Sequence, residues 1–351
     1  METGSAGDAV ARALWFAAER SAEIREEPLR QPGAGEILVR GLVSLVSAGT
    51  EMNVYRGQVG TPGELELPTA EGEFPFPIKF AYQIVGEVEA GGEGAPFAVG
   101  DKVFSYHPHQ DRFVIGGASN PGDLLEGASM IFPVPADLEP ERAAFANLFC
   151  VAYNGLLDHP IRIGDCVAVS GLGVIGSFAA TLARRTASRL VLVDPLQERR
   201  ARASWIGADF VVHPDEAADA IATATKGRGV DVYIEASGAT PALQGAIDAT
   251  GQEGTIVVIS YYGNREVRLR LSPEFHVRRQ RVVSSMVGMI GSGLQPRWDA
   301  ARRMAVAMEE LRTIDVPALI SHRIPFAEAP SAYTLIDERP HESLGVLLEY
   351  E

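Results

Sequence analysis

Short apolar runs alternate with amphipathic segments from about residue 151 to residue 290. Each run is followed by a stretch with apolar residues at helical spacing, and the next apolar run then begins. This alternation predicts parallel strands joined by helices, the doubly wound α/β fold. The predicted strands are Val167–Ser170, Leu190–Val193, Phe210–Val212, Val232–Glu235, Thr255–Ile259 and Val282–Met286.

The first 150 residues have a different pattern, with short apolar runs separated by glycine and proline. Such punctuation is typical of a compact β domain built from turns and short strands. The predicted strands are Ile37–Arg40, Leu42–Val46, Ile84–Val88, Lys102–Phe104 and Phe113–Ile115.

The tail contains an amphipathic helix at about 297–311, a turn at Ile324–Phe326, a helix near 330–336 and a strand candidate at Leu344–Leu348. We expect this last strand to return to the first domain. The predicted organisation is therefore a discontinuous domain of residues 1–151 and 289–351 around a second domain of residues 152–288.

A glycine turn joins the first two elements of the second domain. Gly171, Gly173 and Gly176 follow the first apolar run, with Val174 and Ile175 between the last two glycines, and the next helix is predicted over Ser177–Arg185. In a dinucleotide site, such glycines permit a tight turn, a close approach to the pyrophosphate and close packing of helix on strand. The amides at the start of the helix would face the phosphates. The alternative is an ordinary strand–helix turn with no ligand.

Asp194 ends the second strand, 23 residues after Gly171. A carboxylate there accepts from the ribose hydroxyls and repels a 2′-phosphate, which favours NAD over NADP. Arg199 on the next helix could instead bind that phosphate, so NADP stays an alternative. Later strand ends offer further cofactor contacts, namely Ser237, Gly238, Ser260 and Tyr261.

Composition excludes several classes of partner. The net charge of −15 disfavours nucleic acid and anionic membrane surfaces. No apolar run is long enough to cross a membrane, and the two cysteines, Cys150 and Cys166, indicate no disulfide framework. We therefore expect a cytoplasmic protein that acts on a small molecule.

Five local motifs follow one another along the chain. They are Ala48-Gly49-Thr50-Glu51, Val99-Gly100-Asp101-Lys102-Val103, Val151-Ala152-Tyr153, Asp231–Gly238 and Ile324-Pro325-Phe326 before Ala332-Tyr333. In these motifs and their order the chain resembles the medium-chain dehydrogenase/reductase superfamily over nearly its whole length. The resemblance is greatest to the branch of threonine and sorbitol dehydrogenases. It implies a GroES-like β-barrel catalytic domain, a Rossmann cofactor domain, and a homodimer formed through the edge strand near Arg281–Met286.

The chain departs from this superfamily at its metal sites. The positions of the catalytic zinc ligands in zinc members correspond here to Ala48, to Tyr82 in the pair Tyr82-Gln83, and to a residue near Asn147. Alanine cannot bind a metal, and tyrosine, glutamine and asparagine are poor zinc ligands. The four closely spaced cysteines of a structural zinc site are also missing. We therefore predict no zinc at either site. A site made from His107 and His109 is the remaining alternative.

Without zinc, hydrogen-bond donors must stabilise the substrate oxygen. Thr50 matches the hydroxyl that moves a proton in the superfamily, and its alternative is a helix cap. Tyr82 could donate its phenol proton or simply fill the lost metal space. The amides Gln83 and Asn147 could orient a substrate or satisfy buried backbone. Of His107 and His109 we expect one to face the cleft as an acid–base group, unless the run is a solvated loop.

These features predict a zinc-independent, NAD(P)-dependent oxidoreductase acting on an alcohol or ketone of a polar molecule such as a sugar, a cyclitol or a secondary-metabolite intermediate. An NADPH-dependent enoyl or quinone reductase is the first alternative, and a non-catalytic nucleotide-binding protein is the second. The loops Val59–Glu73 and Gly116–Ser129 are expected to shape the substrate pocket.

Overall fold

The structure is a computed structural model that describes residues 10–59, 70–116 and 131–351. Its contacts divide the chain into two compact units, which are Met1–Ala146 with Asp299–Glu351, and Asn147–Trp298. The sequence-based limits of 152–288 fall inside the second unit, and the domain boundary itself stays a prediction.

The described residues of the first unit form two β-sheets. One is four-stranded in the order β2-β1-β5-β4, and the other has the order β16-β17-β3-β6-β7-β9, with β8 also paired to β3. The strands are β1 (Val10–Ala18), β2 (Ser21–Pro28), β3 (Glu36–Val46), β4 (Glu71–Gly72), β5 (Ile78–Lys79), β6 (Ile84–Gly91), β7 (Lys102–Ser105), β8 (Arg112–Gly116), β9 (Ile131–Pro133), β16 (Ile320–Pro325) and β17 (Gly345–Glu349).

Helices of the first unit close its core against these sheets. The helices are α1 (Thr50–Tyr55), α2 (Pro140–Ala143), α9 (Ala300–Glu310) and α10 (Ala329–Glu338). The ring of Phe16 on β1 contacts Tyr55 of α1 and Tyr333 of α10 with centroid distances of 5.8 and 5.0 Å. Aromatic pairs of this edge-on kind stabilise a core beyond the area that they bury.

Several details of the β-rich unit differ from the sequence-based expectations. The two strands expected on either side of Gly41 are one strand, β3, whose pairing with β6 shifts register beside that glycine. Of the predicted turn at Ile324–Phe326, the first two residues instead end strand β16, and Phe326 begins a 3-10 helix. Pro325 is tolerated there because β16 is an edge strand. Strand β17 does pair with β3 of the first unit, as expected.

The second unit is a six-stranded parallel sheet in the order β12-β11-β10-β13-β14-β15. Its elements are α3 (Ala146–Asp158), β10 (Cys166–Ser170), α4 (Val174–Arg184), β11 (Arg189–Val193), α5 (Gln197–Arg202), β12 (Phe210–Val212), α6 (Ala217–Thr225), β13 (Val230–Glu235), α7 (Thr240–Ala249), β14 (Thr250–Val258), α8 (Glu274–Val277) and β15 (Arg281–Ser284). This strand order is that of the dinucleotide-binding fold, whose ligand lies where the order reverses beside the first strand.

Candidate active site

The glycine turn lies at the carboxyl end of β10. Gly171 has a φ of +87°, and a Cβ there would lie 2.6 Å from the Cα of Ser237. A Cβ on Gly176 would lie 1.7 Å from the carbonyl oxygen of Gly171. At Gly173 a Cβ would meet nothing within 4 Å among the described residues. Two of the glycines are therefore required by packing, and the third leaves open space where α4 begins.

The carboxylate of Asp194 links this turn to the next one. Its Oδ2 accepts from the amide of Leu172 at 2.7 Å, and its Oδ1 accepts from the amide of Leu196 at 2.8 Å. The residue is 2% exposed. Each carboxylate oxygen has a second lone pair that could accept from a ribose hydroxyl. The expected binding of ribose by Asp194 stays a prediction, and the structure adds a role in holding both turns.

Arg199 and the later strand ends have distinct surroundings. Arg199 lies half-buried on α5, whereas the guanidinium of Arg200 donates to the carbonyl oxygen of Asp194 at 2.7 Å. Ser237, Gly238 and Ser260 all donate to the carboxylate of Glu235, and Tyr261 is 42% exposed in the loop after β14. The sequence analysis missed Glu235, although an acid at the end of a buried apolar strand is a signal in itself.

In the first unit, three hydroxyls meet beside α1. The phenol of Tyr82 donates to the Oγ of Ser47 at 2.5 Å, and it also hydrogen-bonds with the side chain of Thr50, the first residue of α1. Burial, together with the negative charge of Glu51, raises the pKa of Tyr82 above its ordinary value. The phenol therefore keeps its proton at neutral pH. Ser47 was missed by the sequence analysis.

His109 lies in a second polar cluster of the same unit. Its Nε2 is 3.1 Å from the Oε2 of Glu51, and the hydroxyl of Tyr333 donates to the same oxygen at 2.9 Å. All three side chains are at most 1% exposed. Glu51 and Tyr333 stood in motifs of the sequence, yet only the fold brings them to His109.

His107 has a packing role, which corrects the idea of a solvated loop. Its ring stacks on Phe113 at a centroid distance of 3.9 Å, and its Nδ1 lies 2.9 Å from the carbonyl oxygen of Pro108. Burial lowers the pKa of His107 to about 3, so the ring is neutral in the folded protein. The imidazoles of His107 and His109 therefore contact different partners.

The remaining predicted site residues are the amides Gln83 and Asn147 and the two loops expected to shape the substrate pocket. Gln83 is fully buried, and its Nε2 donates to the carbonyl oxygen of Leu45 at 2.8 Å, so it satisfies backbone as one alternative proposed. Asn147 is 3% exposed on α3 of the second unit. Residues 60–69 and 117–129 of the expected pocket loops lie outside the described residues.

Comparisons with known proteins agree with this architecture. The sequence profile of the zinc-binding dehydrogenase family matches residues 174–306. D-guloside 3-dehydrogenase of Escherichia coli K12 is 28% identical, over 93% of this chain and 96% of the relative. The order of elements and the glycine turn agree with these matches. The chain belongs to the medium-chain dehydrogenase/reductase superfamily.

Solved structures of dehydrogenases have the same fold. A zinc-binding dehydrogenase of Sinorhizobium meliloti 1021 with bound NADP superimposes with a TM-score of 0.76 at 20% identity, covering 97% of this chain and 99% of the other. An alcohol dehydrogenase of Escherichia coli CFT073 in complex with NADH gives a TM-score of 0.76 at 18% identity, with 98% and 100% covered. The first of these two structures holds NADP and the second holds NADH.

Proposed function

We propose that the protein transfers a hydride between a nicotinamide coenzyme and an alcohol or ketone carbon of a polar small molecule, and that it does so without zinc. The observation that carries this proposal is the protonated phenol of Tyr82 beside the hydroxyls of Ser47 and Thr50. Tyr82 occupies the position at which, by the resemblance, zinc members have a metal ligand. The chain is an NAD(P)-dependent oxidoreductase of the superfamily to which its dehydrogenase relatives belong.

The second unit fits a dinucleotide. Gly173 leaves open space where α4 begins, and that helix has no side-chain cap on its first amides. Those amides and the helix dipole favour an anion such as a pyrophosphate. Asp194 then holds the adenosine end of the site, and its negative charge supports NAD over NADP. When bound, the coenzyme supplies or accepts the hydride.

The first unit does not fit a catalytic zinc ion. The side chain of Ala48 has no atom that could bind a metal. The phenol of Tyr82 is protonated and donates a hydrogen bond to Ser47, so it offers no phenolate oxygen to a metal. Within residues 10–59, 70–116 and 131–351, no three His, Cys, Asp or Glu side chains are grouped so that they could hold a metal ion. The residues therefore do not match a zinc ligand set, and we derive no step through a metal.

The hydroxyl cluster supplies the proton step. In ketone reduction the substrate carbon gains a hydride from the coenzyme while its oxygen gains the proton of Tyr82. Tyr82 takes the hydroxyl proton of Thr50, and Thr50, which is half-buried, takes a proton from water in turn. In alcohol oxidation the substrate hydroxyl gives its proton to Tyr82 as the proton of Tyr82 passes to Thr50, and Thr50 releases its own proton to water. A relay of this kind moves a proton without forming a free phenolate, which the raised pKa of Tyr82 disfavours.

The substrate class follows from the same groups. Three hydroxyls can each donate and accept, which suits a molecule carrying several hydroxyls of its own. Relatives named for D-guloside and sorbitol act on compounds of that kind. We therefore propose a sugar, a cyclitol or a comparable hydroxylated intermediate as substrate.

We further propose a homodimer that forms through strand β15. Among the described strands, β15 pairs only with β14, so its other edge has unpaired backbone groups. Val282 on this edge is 43% exposed, and Met286 just after it is 63% exposed. An edge strand with exposed apolar side chains is a template for pairing with another chain.

The cysteines support the cytoplasmic location that we propose. Cys150 and Cys166 are both buried and free. Burial raises the pKa of the Cys166 thiol to about 11, so it is unreactive at neutral pH. The described residues include no helix both long and apolar enough to cross a membrane.

The proposal is tested on the purified chain after chelation, with its metal content measured. NADH and NADPH binding is measured first, and turnover of a panel of polyols and ketones follows. Tight NADH binding with metal-free turnover of a polyol supports the proposal. Preference for NADPH with turnover of enones establishes the reductase alternative, coenzyme binding without any hydride transfer establishes the non-catalytic one, and activity that needs stoichiometric zinc overturns the mechanism.

A further inference from the structure

Glu235 ends strand β13 and is fully buried. Its Oε1 accepts from the amides of Ser237 at 2.8 Å and Gly238 at 3.1 Å, and also from the hydroxyl of Ser237. Its Oε2 accepts from the hydroxyl of Tyr262 at 2.7 Å and from that of Ser260. Five donors from two separate loops thus converge on one carboxylate.

Because both loops donate to the same carboxylate, the conformation of each loop depends on the side chain of Glu235. An ionised carboxylate only accepts hydrogen bonds, and a buried one is tolerated only when donors surround it. The left-handed backbone of Gly238, with a φ of +61°, brings its amide into that set. Burial, followed by the hydrogen bond to Glu235, raises the pKa of Tyr262, so the phenol keeps the proton that it donates.

The two loops lie on one side of the glycine turn and Asp194 lies on the other. In the sheet order β12-β11-β10-β13-β14-β15, Asp194 follows β11, while the loops of Glu235 follow β13 and β14. Ser237 also packs directly against Gly171 at the end of β10. A dinucleotide lying across this edge would have its adenosine half near Asp194 and its nicotinamide half near the loops of Glu235.

We propose that Glu235 is a positioning residue for the nicotinamide half of the coenzyme, acting through the loops Ser237–Gly238 and Ser260–Tyr262. This inference rests on the proposed coenzyme binding. Glu235 itself is buried beneath the loops, so it acts by holding them in the geometry that the bound coenzyme needs. Such preorganisation raises affinity because the loops need no ordering when the ligand binds.

The experiment measures binding of NADH and of AMP to the full chain by calorimetry. For Glu235→Ala we expect the Kd for NADH to rise about tenfold or more while that for AMP changes less than about twofold. Glu235→Gln should restore NADH binding to within about threefold of the wild type. Its amide oxygen can accept from the backbone amides, and its NH₂ can donate to the hydroxyls of Ser260 and Tyr262.

A matched control is Asp209→Asn, at the opposite end of the same sheet. That carboxylate pairs with Arg189 at 2.7 Å and with Arg184 at 3.1 Å. We expect it to lower stability without changing the ratio of NADH to AMP affinity. Tyr262→Phe, which removes one donor, should raise the Kd for NADH about threefold.

The outcomes separate this inference from the proposed function. Unchanged NADH affinity in Glu235→Ala or Tyr262→Phe overturns the positioning role. Equal losses of NADH and AMP affinity also overturn it, in favour of a general packing role. A wild-type chain that binds neither ligand overturns the proposed function, and this inference with it.

Discussion

The Nε2 of His109 lies 3.1 Å from the Oε2 of Glu51, and neither side chain is more than 1% exposed. The hydroxyl of Tyr333 shares that oxygen. Removing one member of a buried polar pair leaves the other without its partner, which costs more than the pair contributes net. We therefore expect Glu51→Ala and His109→Ala each to lower the free energy of unfolding by about 3 kcal/mol.

A double-mutant cycle in urea measures this pairing. The double variant should be more stable than the sum of the two single losses predicts, with a coupling of about 1–2 kcal/mol. Tyr333→Phe serves as the comparison, because it removes one hydroxyl and keeps the ring, and it should cost about 1 kcal/mol. Strict additivity of the Glu51 and His109 variants would contradict the pairing.

Tyr82→Phe removes the phenol proton and keeps the ring. If that proton reaches the substrate oxygen, kcat should fall about 100-fold while the Kd for NADH is unchanged. The matched control is Tyr55→Phe, whose hydroxyl donates to the carbonyl oxygen of Arg20 in the same unit. Wild-type kcat in Tyr82→Phe would assign the ring a packing role only.

The stability of the protein should depend on pH through His107. The pKa of His107 is about 3 in the folded chain, against 6.5 as its ordinary value, so below pH 6.5 the unfolded chain binds a proton that the folded chain does not. Stability from this group is therefore present above pH 6.5 and is lost as the pH falls towards 3. At pH 5 the loss amounts to about 2 kcal/mol.

The variant His107→Phe keeps an aromatic ring against Phe113 and cannot titrate. Between pH 7 and pH 5 it should lose about 2 kcal/mol less unfolding free energy than the wild type. Urea unfolding at the two pH values measures the difference. Equal losses in both proteins would show that His107 is protonated in the folded state.

Asp194→Ser tests the choice of coenzyme. Loss of the negative charge should shift the ratio of NADH to NADPH affinity towards NADPH by about tenfold. The amides of Leu172 and Leu196 also lose their acceptor, so stability should fall. Asp165→Asn, whose carboxylate accepts from the amide of Arg162 in the turn before β10, is the control for stability alone. An unchanged ratio would leave Asp194 with the structural role only.

Val282→Asp tests the proposed dimer. A charge on the free edge of β15 opposes pairing with a second copy, so the variant should elute as a monomer at micromolar concentration where the wild type is dimeric. Light scattering after size-exclusion chromatography gives the mass. Val99→Asp, at a residue 69% exposed in the first unit, controls for a surface charge as such. A monomeric wild type would refute the dimer itself.

The parallel sheet was predictable because its signals are local. The strand Phe210–Val212 has the predicted limits. The helix predicted over Ser177–Arg185 is Val174–Arg184 in the structure, so it begins three residues earlier and ends one residue earlier. Strand and helix periodicity arise from side chains a few residues apart, and the tight turn at Gly171 needs only its own glycines. The superfamily could be recognised on the same short motifs.

Strands β1 and β2 were not predicted. The exposed face of β2 carries Glu and Arg residues, which hide an apolar pattern, and its place as an edge strand allows this. Strand β2 is held by backbone hydrogen bonds to β1, and its sequence pattern does not predict this pairing. Tertiary context decided β2, whereas the apolar run of β1 is itself a strand signal that the sequence analysis missed.

By itself, then, the sequence determined the parallel sheet, the glycine turn and the acid at Asp194. The tertiary structure alone decided that Tyr333 meets Glu51 across 282 residues and that Tyr262 meets Glu235. The physical reason is range: turns and periodicity follow from neighbouring residues, whereas the partner of a buried carboxylate is chosen by the packing of the whole unit.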